Sequence, residues 1–93
     1  MTTLKAKISI PKDVLFHELA GEAVLLNLAT GKYYGLDEVG TRMWMLLSEH
    51  GRLEPVYQEL LSEYDVEAQR LQDDLFRLID SLAEQGLVEI REP

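Results

Sequence analysis

The stretch Glu22–Trp44, EAVLLNLATGKYYGLDEVGTRMW, decides the fold. Glu22 to Leu28 is an extended, largely apolar run. Ala29-Thr30-Gly31 supplies a turn with glycine where a left-handed backbone is needed, and Lys32 to Leu36 returns antiparallel. Asp37 has the short carboxylate that caps a helix N-terminus, and Glu38 suits the first turn, where negative charge meets the positive end of the helix dipole. Val39, Met43, Leu46 and Leu47 then recur at helical spacing until Gly51 offers a stop. A hairpin therefore feeds directly into a helix, with Tyr33 and Tyr34 on its second strand. Neighbours on a strand point to opposite faces, so one tyrosine serves the core and the other faces outward, and the spacing leaves open which.

Upstream, Val14 to Leu19 runs extended into an Ala20-Gly21 turn, which makes Lys32 to Leu36 the third strand of a meander with an unpaired outer edge. Leu4, Ala6, Ile8 and Ile10 alternate with Lys5, Lys7 and Ser9 as in a half-buried edge strand, which Pro11 ends. Downstream, Pro55 suits an early helical position, and Val56, Tyr57, Leu60, Leu61 and Tyr64 form the apolar stripe of a second helix. Asp65 is the expected cap of a third helix from about Glu67 to Gln85. Leu71, Leu75, Leu78, Ile79 and Leu82 share its buried face, and Gly86 ends it. Gln72, Phe76 and Ala83 fall on a shoulder beside that face, which leaves Phe76 partly uncovered. Leu87 to Arg91 is a last short strand or a tail packing back on the sheet. The expectation is an α+β fold, an N-terminal three-stranded antiparallel meander followed by three helices, in one domain spanning residues 1–93.

Ninety-three residues with 46% hydrophobic and 28% charged side chains are enough for one modest core. A formal net charge of −8 argues against phosphate backbones and anionic membranes as partners and favours a basic or neutral peptide. The chain has no cysteine, which excludes disulfides, thiolate metal sites and a cysteine nucleophile. The N-terminus lacks the apolar core of a signal peptide, and no window is long and apolar enough to span a bilayer, so the expected location is cytoplasmic.

Catalytic patterns are missing. His17 and His50 have no second ligand at metal spacing, the serines have no nucleophile-elbow context, and no Gly-rich phosphate loop occurs. His50 suits the carbonyl end of the first helix. Asp73 and Asp74 point about 100° apart on a helix and do not converge as an acid/base pair, which makes them a solvated face. Met43, Trp44 and Met45 read as packing material. The expectation is no enzyme activity, no cofactor and no metal.

One resemblance covers nearly the whole chain. Gly21 to Leu28, then Thr30-Gly31-Lys32-Tyr33-Tyr34-Gly35-Leu36-Asp37, then Gly40-Thr41 and Trp44, resemble the PqqD-like family, also called RiPP recognition elements, where RiPP denotes a ribosomally made, post-translationally modified peptide. Tyr64-Asp65-Val66, Asp73-Asp74-Leu75 and Leu82 through Val88 continue it. The resemblance implies a winged helix-turn-helix-like fold that captures the leader of a precursor peptide as a strand added to the third strand of the meander, against the third helix. Carried over residue by residue, it implies a rail of Lys32, Tyr33, Tyr34, Gly35 and Leu36 and a helix wall drawn from Gln72, Phe76, Ile79, Asp80 and Ala83. Members acting in pyrroloquinoline quinone synthesis carry a Tyr-Pro-Glu-like stretch after the Leu-Leu pair, and this chain has Asn27-Leu28-Ala29 there. The Tyr-Tyr-Gly-Leu-Asp form and free-standing length look more like the recognition subunits of lasso-peptide pathways. That resemblance implies a leader peptidase and a ring-closing cyclase as further partners.

Three alternatives accompany this reading. A peptide chaperone in quinone or other radical-enzyme maturation would share the fold. A winged-helix DNA-binding regulator would need a basic recognition helix, whereas Glu67, Asp73, Asp74, Asp80 and Glu84 outnumber Arg70 and Arg77 on the third helix. A homodimer would pair the open edge strand with its own copy.

Overall fold

A computed structural model describes residues 2–92. In chain order the elements are β1 (Lys7–Ser9), β2 (Val14–Leu19), β3 (Glu22–Asn27), β4 (Tyr33–Leu36), α1 (Glu38–His50), α2 (Leu53–Glu63), α3 (Ala68–Glu84) and β5 (Glu89–Arg91). Strands β2, β3 and β4 form the antiparallel meander, in that spatial order, and three helices follow it in an α+β, winged-helix-like arrangement. Ala20 and Gly21 both take positive φ, 57° and 85°, so the β2–β3 connection has the two left-handed residues of a turn whose twist matches the strands. Alanine tolerates this conformation poorly and the glycine readily.

The β3–β4 turn is built on Asn27. Its backbone carbonyl accepts from the Gly31 amide at 2.8 Å, its Oδ1 accepts from the Ala29 amide at 2.9 Å, and its Nδ2 donates to the Gly86 carbonyl at 3.0 Å. A buried amide with both ends satisfied thus ties the turn to the end of α3, at a cost to any apolar replacement that would strand those partners. The Asn27-Leu28-Ala29 departure noted in the sequence has this structural use.

Asp37 caps α1 as expected, its Oδ1 accepting from the Gly40 amide at 2.8 Å, and Gly51 closes the helix with φ 68°. A Cβ on Gly40 would lie 3.2 Å from that Asp37 oxygen and 3.3 Å from Leu36 Cδ2, so glycine lets the first turn of α1 sit tightly against the end of β4. Helix α2 starts at Leu53 without a side-chain cap. For α3 the expected cap is displaced: Glu67 occupies the cap position, makes no side-chain bond, and Asp65 lies two residues upstream. The start of α3 is tied instead by packing contacts, including the Tyr57 hydroxyl donating to the Ala68 carbonyl at 3.3 Å.

The N-terminal segment alternates as the sequence predicts, with Ala6 and Ile8 buried, but its strand is shorter and does not join the meander. The Ala6 carbonyl accepts from Leu53 and the Ile8 amide donates to Gly51, so the segment is stitched to the α1–α2 connection. β1 then pairs with β5, Lys7 opposite Arg91 and Ser9 opposite Glu89, in a separate two-stranded sheet. Leu87 and Val88 bury completely or nearly so just before β5, which makes the C-terminal run a strand of this second sheet.

One core lies between the inner face of the meander and the helices, with Leu25, Leu46, Leu47, Leu60, Leu75, Ile79 and Leu82 almost fully buried. Each such side chain contributes about 1.5–3 kcal/mol. Phe16 stacks on Trp44 with ring centroids 6.3 Å apart, joining β2 to α1. At the surface the Arg42 guanidinium donates to both Glu63 oxygens, at 2.8 and 2.6 Å, linking α1 to the end of α2. That hydrogen bond holds the Glu63 carboxyl below its ordinary value. His50 meets Glu59 at 3.0 Å rather than standing free at the helix end.

Candidate functional site

β4 is an edge strand: it pairs with β3 on one side, and among the described residues no strand pairs with its other side. Its hydrogen-bond phase follows from the turn. The Asn27 amide donates to the Lys32 carbonyl at 2.9 Å, which makes Asn27 and Lys32 a hydrogen-bonded pair. Such pairs alternate along an antiparallel ladder, so Tyr34 opposite Leu25 and Leu36 opposite Ala23 also spend their main-chain groups on β3. The N–H and C=O groups of Tyr33 and Gly35 therefore point to the open edge.

Side chains alternate the other way, perpendicular to the sheet. Leu36 is buried, Tyr34 is half-buried against the core, and Tyr33 is 76% exposed on the outward face with Gly35. Tyr34 is thus the inward tyrosine.

Between β4, the start of α1 and one side of α3 lies an open groove of about 400 Å³. Tyr34, Asp37, Val39, Gly40 and Met43 form its floor and one wall, and Asp74, Arg77, Leu78 and Ser81 of α3 form the other. Leu78 supplies apolar surface, and Asp74 and Arg77 approach to 3.6 Å across one turn, an exposed pair worth at most about 1 kcal/mol. Exposed charges of this kind are free to re-pair with a ligand. A smaller apolar recess of about 130 Å³, walled by Tyr64, Val66, Arg70 and Leu71, shares Val39, Met43 and Asp74 with the groove and prolongs it toward the α2–α3 connection.

Of the expected rail, Lys32 to Leu36, Tyr34 lines the groove, and none of the residues of the expected helix wall does. Ile79 is fully buried, and Gln72, Phe76, Asp80 and Ala83 lie on the opposite side of the Leu71–Leu75–Leu82 stripe at about 100° per residue. The chain's own N-terminal segment runs along that side, where the Thr2 hydroxyl donates to Asp80 Oδ1 at 2.6 Å. Phe76 is half-buried against the core, as the sequence predicts, on the shoulder away from β4. Asp74, Arg77, Leu78 and Ser81 line the α3 side of the groove instead. The i,i+3 spacing of Asp74 and Arg77 beside an apolar Leu78 is a weak signal for them, because both shoulders of a helix flank the buried stripe equally. Among the described residues no three His, Cys, Asp or Glu side chains are placed to hold a metal ion, and no helix is long and apolar enough to cross a membrane.

An open strand edge with main-chain groups aimed outward, running beside a groove with an apolar floor, defines a domain suited to taking an extended peptide as an added strand. The family described as Coenzyme PQQ synthesis protein D (PqqD) matches residues 22–88, and the chain belongs to it. Among solved structures, "TbiB1 in Complex with the TbiA(beta) Leader Peptide" is similar at 39% identity and a TM-score of 0.81, over 86% of this chain and 93% of that one. "Lasso peptide synthetase B1 complexed with the leader peptide" shares the fold at 24% identity and a TM-score of 0.69, over 89% of this chain and 98% of that one. No curated protein matches the chain.

Proposed function

We propose that this protein is a non-catalytic adaptor that captures the leader segment of a ribosomally made precursor peptide in lasso-peptide biosynthesis. The observation that carries the reading is the β4 edge, whose free groups on Tyr33 and Gly35 face solvent beside the groove against α3. A leader strand bonds to those two residues and turns alternate side chains down onto Tyr34, Leu78 and Met43. Main-chain pairing supplies affinity that is tolerant of sequence, and the groove supplies selectivity. The two similar solved structures, each holding a leader peptide, support this assignment.

The adaptor holds the leader for a separate leader peptidase and a ring-closing cyclase, which carry the chemistry. Titrating a fluorescently labelled leader peptide of its own pathway tests the reading. Saturable binding with one leader per chain is expected, and no binding to the folded protein contradicts it.

A further inference from the structure

Both cations of α3 stand on the side of the helix that faces the groove and its extension. The helix carries Arg70 and Arg77 against Asp73, Asp74, Asp80 and Glu84. Arg77 lines the groove, Arg70 lines the smaller recess and Asp74 lines both, whereas Asp73, Asp80 and Glu84 line neither. Spaced i, i+4 and i+7, Arg70, Asp74 and Arg77 form one stripe about 10 Å long on the helix surface. A chain with a formal charge of −8 thus has a local excess of one positive charge along the margin that a leader strand would cover.

In the free protein water solvates this excess. Asp74 and Arg77 meet only at 3.6 Å, with side chains 48% and 77% exposed, and Arg70 pairs with no carboxylate among the described residues. Capture changes that balance. A strand added to β4 lies against this margin and displaces water from it, and a charge taken out of water without a partner is costly. Asp74 can neutralise one arginine and not both. Asp37, the other acid of the groove, already accepts from the Gly40 amide at the positive end of α1. The charge left without a partner is therefore a guanidinium, whose planar fork binds a carboxylate through two hydrogen bonds.

We propose that the leader carries one Asp or Glu whose side chain turns into the groove, and that Arg77 exchanges its contact with Asp74 for that carboxylate. The proposal rests on leader capture at β4. Side chains alternate along an added strand, and the leader residue opposite Tyr34 turns to the same face as Tyr34, into the groove. The recognised acid belongs to that alternating set, and acids of the other set emerge on the far face of the sheet. Arg77 is then a specificity determinant: it admits leaders with an acid in this place and rejects those with Lys or Arg there. The charge of the whole chain favours a basic or neutral peptide, and the α3 margin sets the opposite preference at one position.

The test is a competition titration with the leader peptide of the same pathway, each Asp and Glu replaced in turn by its amide and by Lys. Wild type, Arg77→Gln and Arg77→Glu are compared, and both variants should keep the thermal midpoint because the Arg77 side chain is exposed. One leader acid should stand out. Its amide replacement should weaken binding to wild type by about tenfold or more, and binding to Arg77→Gln by less than about twofold. Its Lys replacement should bind Arg77→Glu more tightly than wild type. The proposal is overturned, with leader capture left standing, if wild type binds a leader that has no Asp or Glu, or if every acid can be replaced by its amide within about twofold. An acid whose replacement costs Arg77→Gln as much as wild type also overturns it. Failure of wild type to bind the unaltered leader overturns leader capture, and the proposal with it.

Discussion

The two shoulders of α3 look alike in sequence and do different things in the fold. Both flank the same buried stripe of Leu71, Leu75, Ile79 and Leu82, and each carries a large half-buried apolar residue, Phe76 on one side and Leu78 on the other. The Phe76 shoulder lies on the side where the chain's N-terminal segment passes, tied by Thr2 to Asp80. The Leu78 shoulder faces β4 across an open groove. A helix pattern thus defines what is buried, and the neighbours decide which margin is left open.

Charge placed at each margin separates the two most sharply. Leu78→Asp puts a carboxylate into the apolar part of the groove and should weaken leader binding by about fiftyfold, about 2.3 kcal/mol. Leu78 is half-buried against the core, so the thermal midpoint should fall too, and titration well below that midpoint beside a thermal melt checks both. Phe76→Ala should act on stability alone, removing about 2 kcal/mol and lowering the melting temperature by about 10 °C. Leader affinity of the folded variant should stay within twofold. If Phe76→Ala weakens the leader and Leu78→Asp does not, the two shoulders exchange roles.

Asp37 sits on the open side and serves both fold and groove, through its bond to the Gly40 amide and its place in the groove lining. Asp37→Ala should cost about 1 kcal/mol of stability as a lost cap, seen as a shift of about 4–8 °C. Asp37→Asn keeps a capping oxygen and should recover most of it.

Much of this was legible in the sequence because the signals were local. Asp37, Gly51 and Gly86 act within one turn of their own positions, and the period-2 runs of the meander need only their neighbours in the chain. The open edge of the third strand followed from the same hairpin.

What escaped depended on contacts between distant segments. The start of α3 was expected at an Asp65 cap, whereas a hydroxyl from α2 reaches its first residue. β1 and β5 pair across nearly the whole chain, a partnership their short alternating patterns do not encode. The side of α3 that borders the groove with β4 is set by how the helix lies on the sheet, and the half-buried Phe76 lies on the other side. Which tyrosine turns inward became clear only with the register, Tyr34 opposite the buried Leu25.

The most direct test of leader capture at this edge is amide hydrogen exchange at Tyr33 and Gly35 with and without leader peptide. The amides of Tyr34 and Leu36 already bond to β3 and serve as internal controls. Strand addition predicts that the Tyr33 and Gly35 amides exchange rapidly in the free protein and become strongly protected at leader saturation. Saturable leader binding that leaves both amides exchanging as before would contradict it.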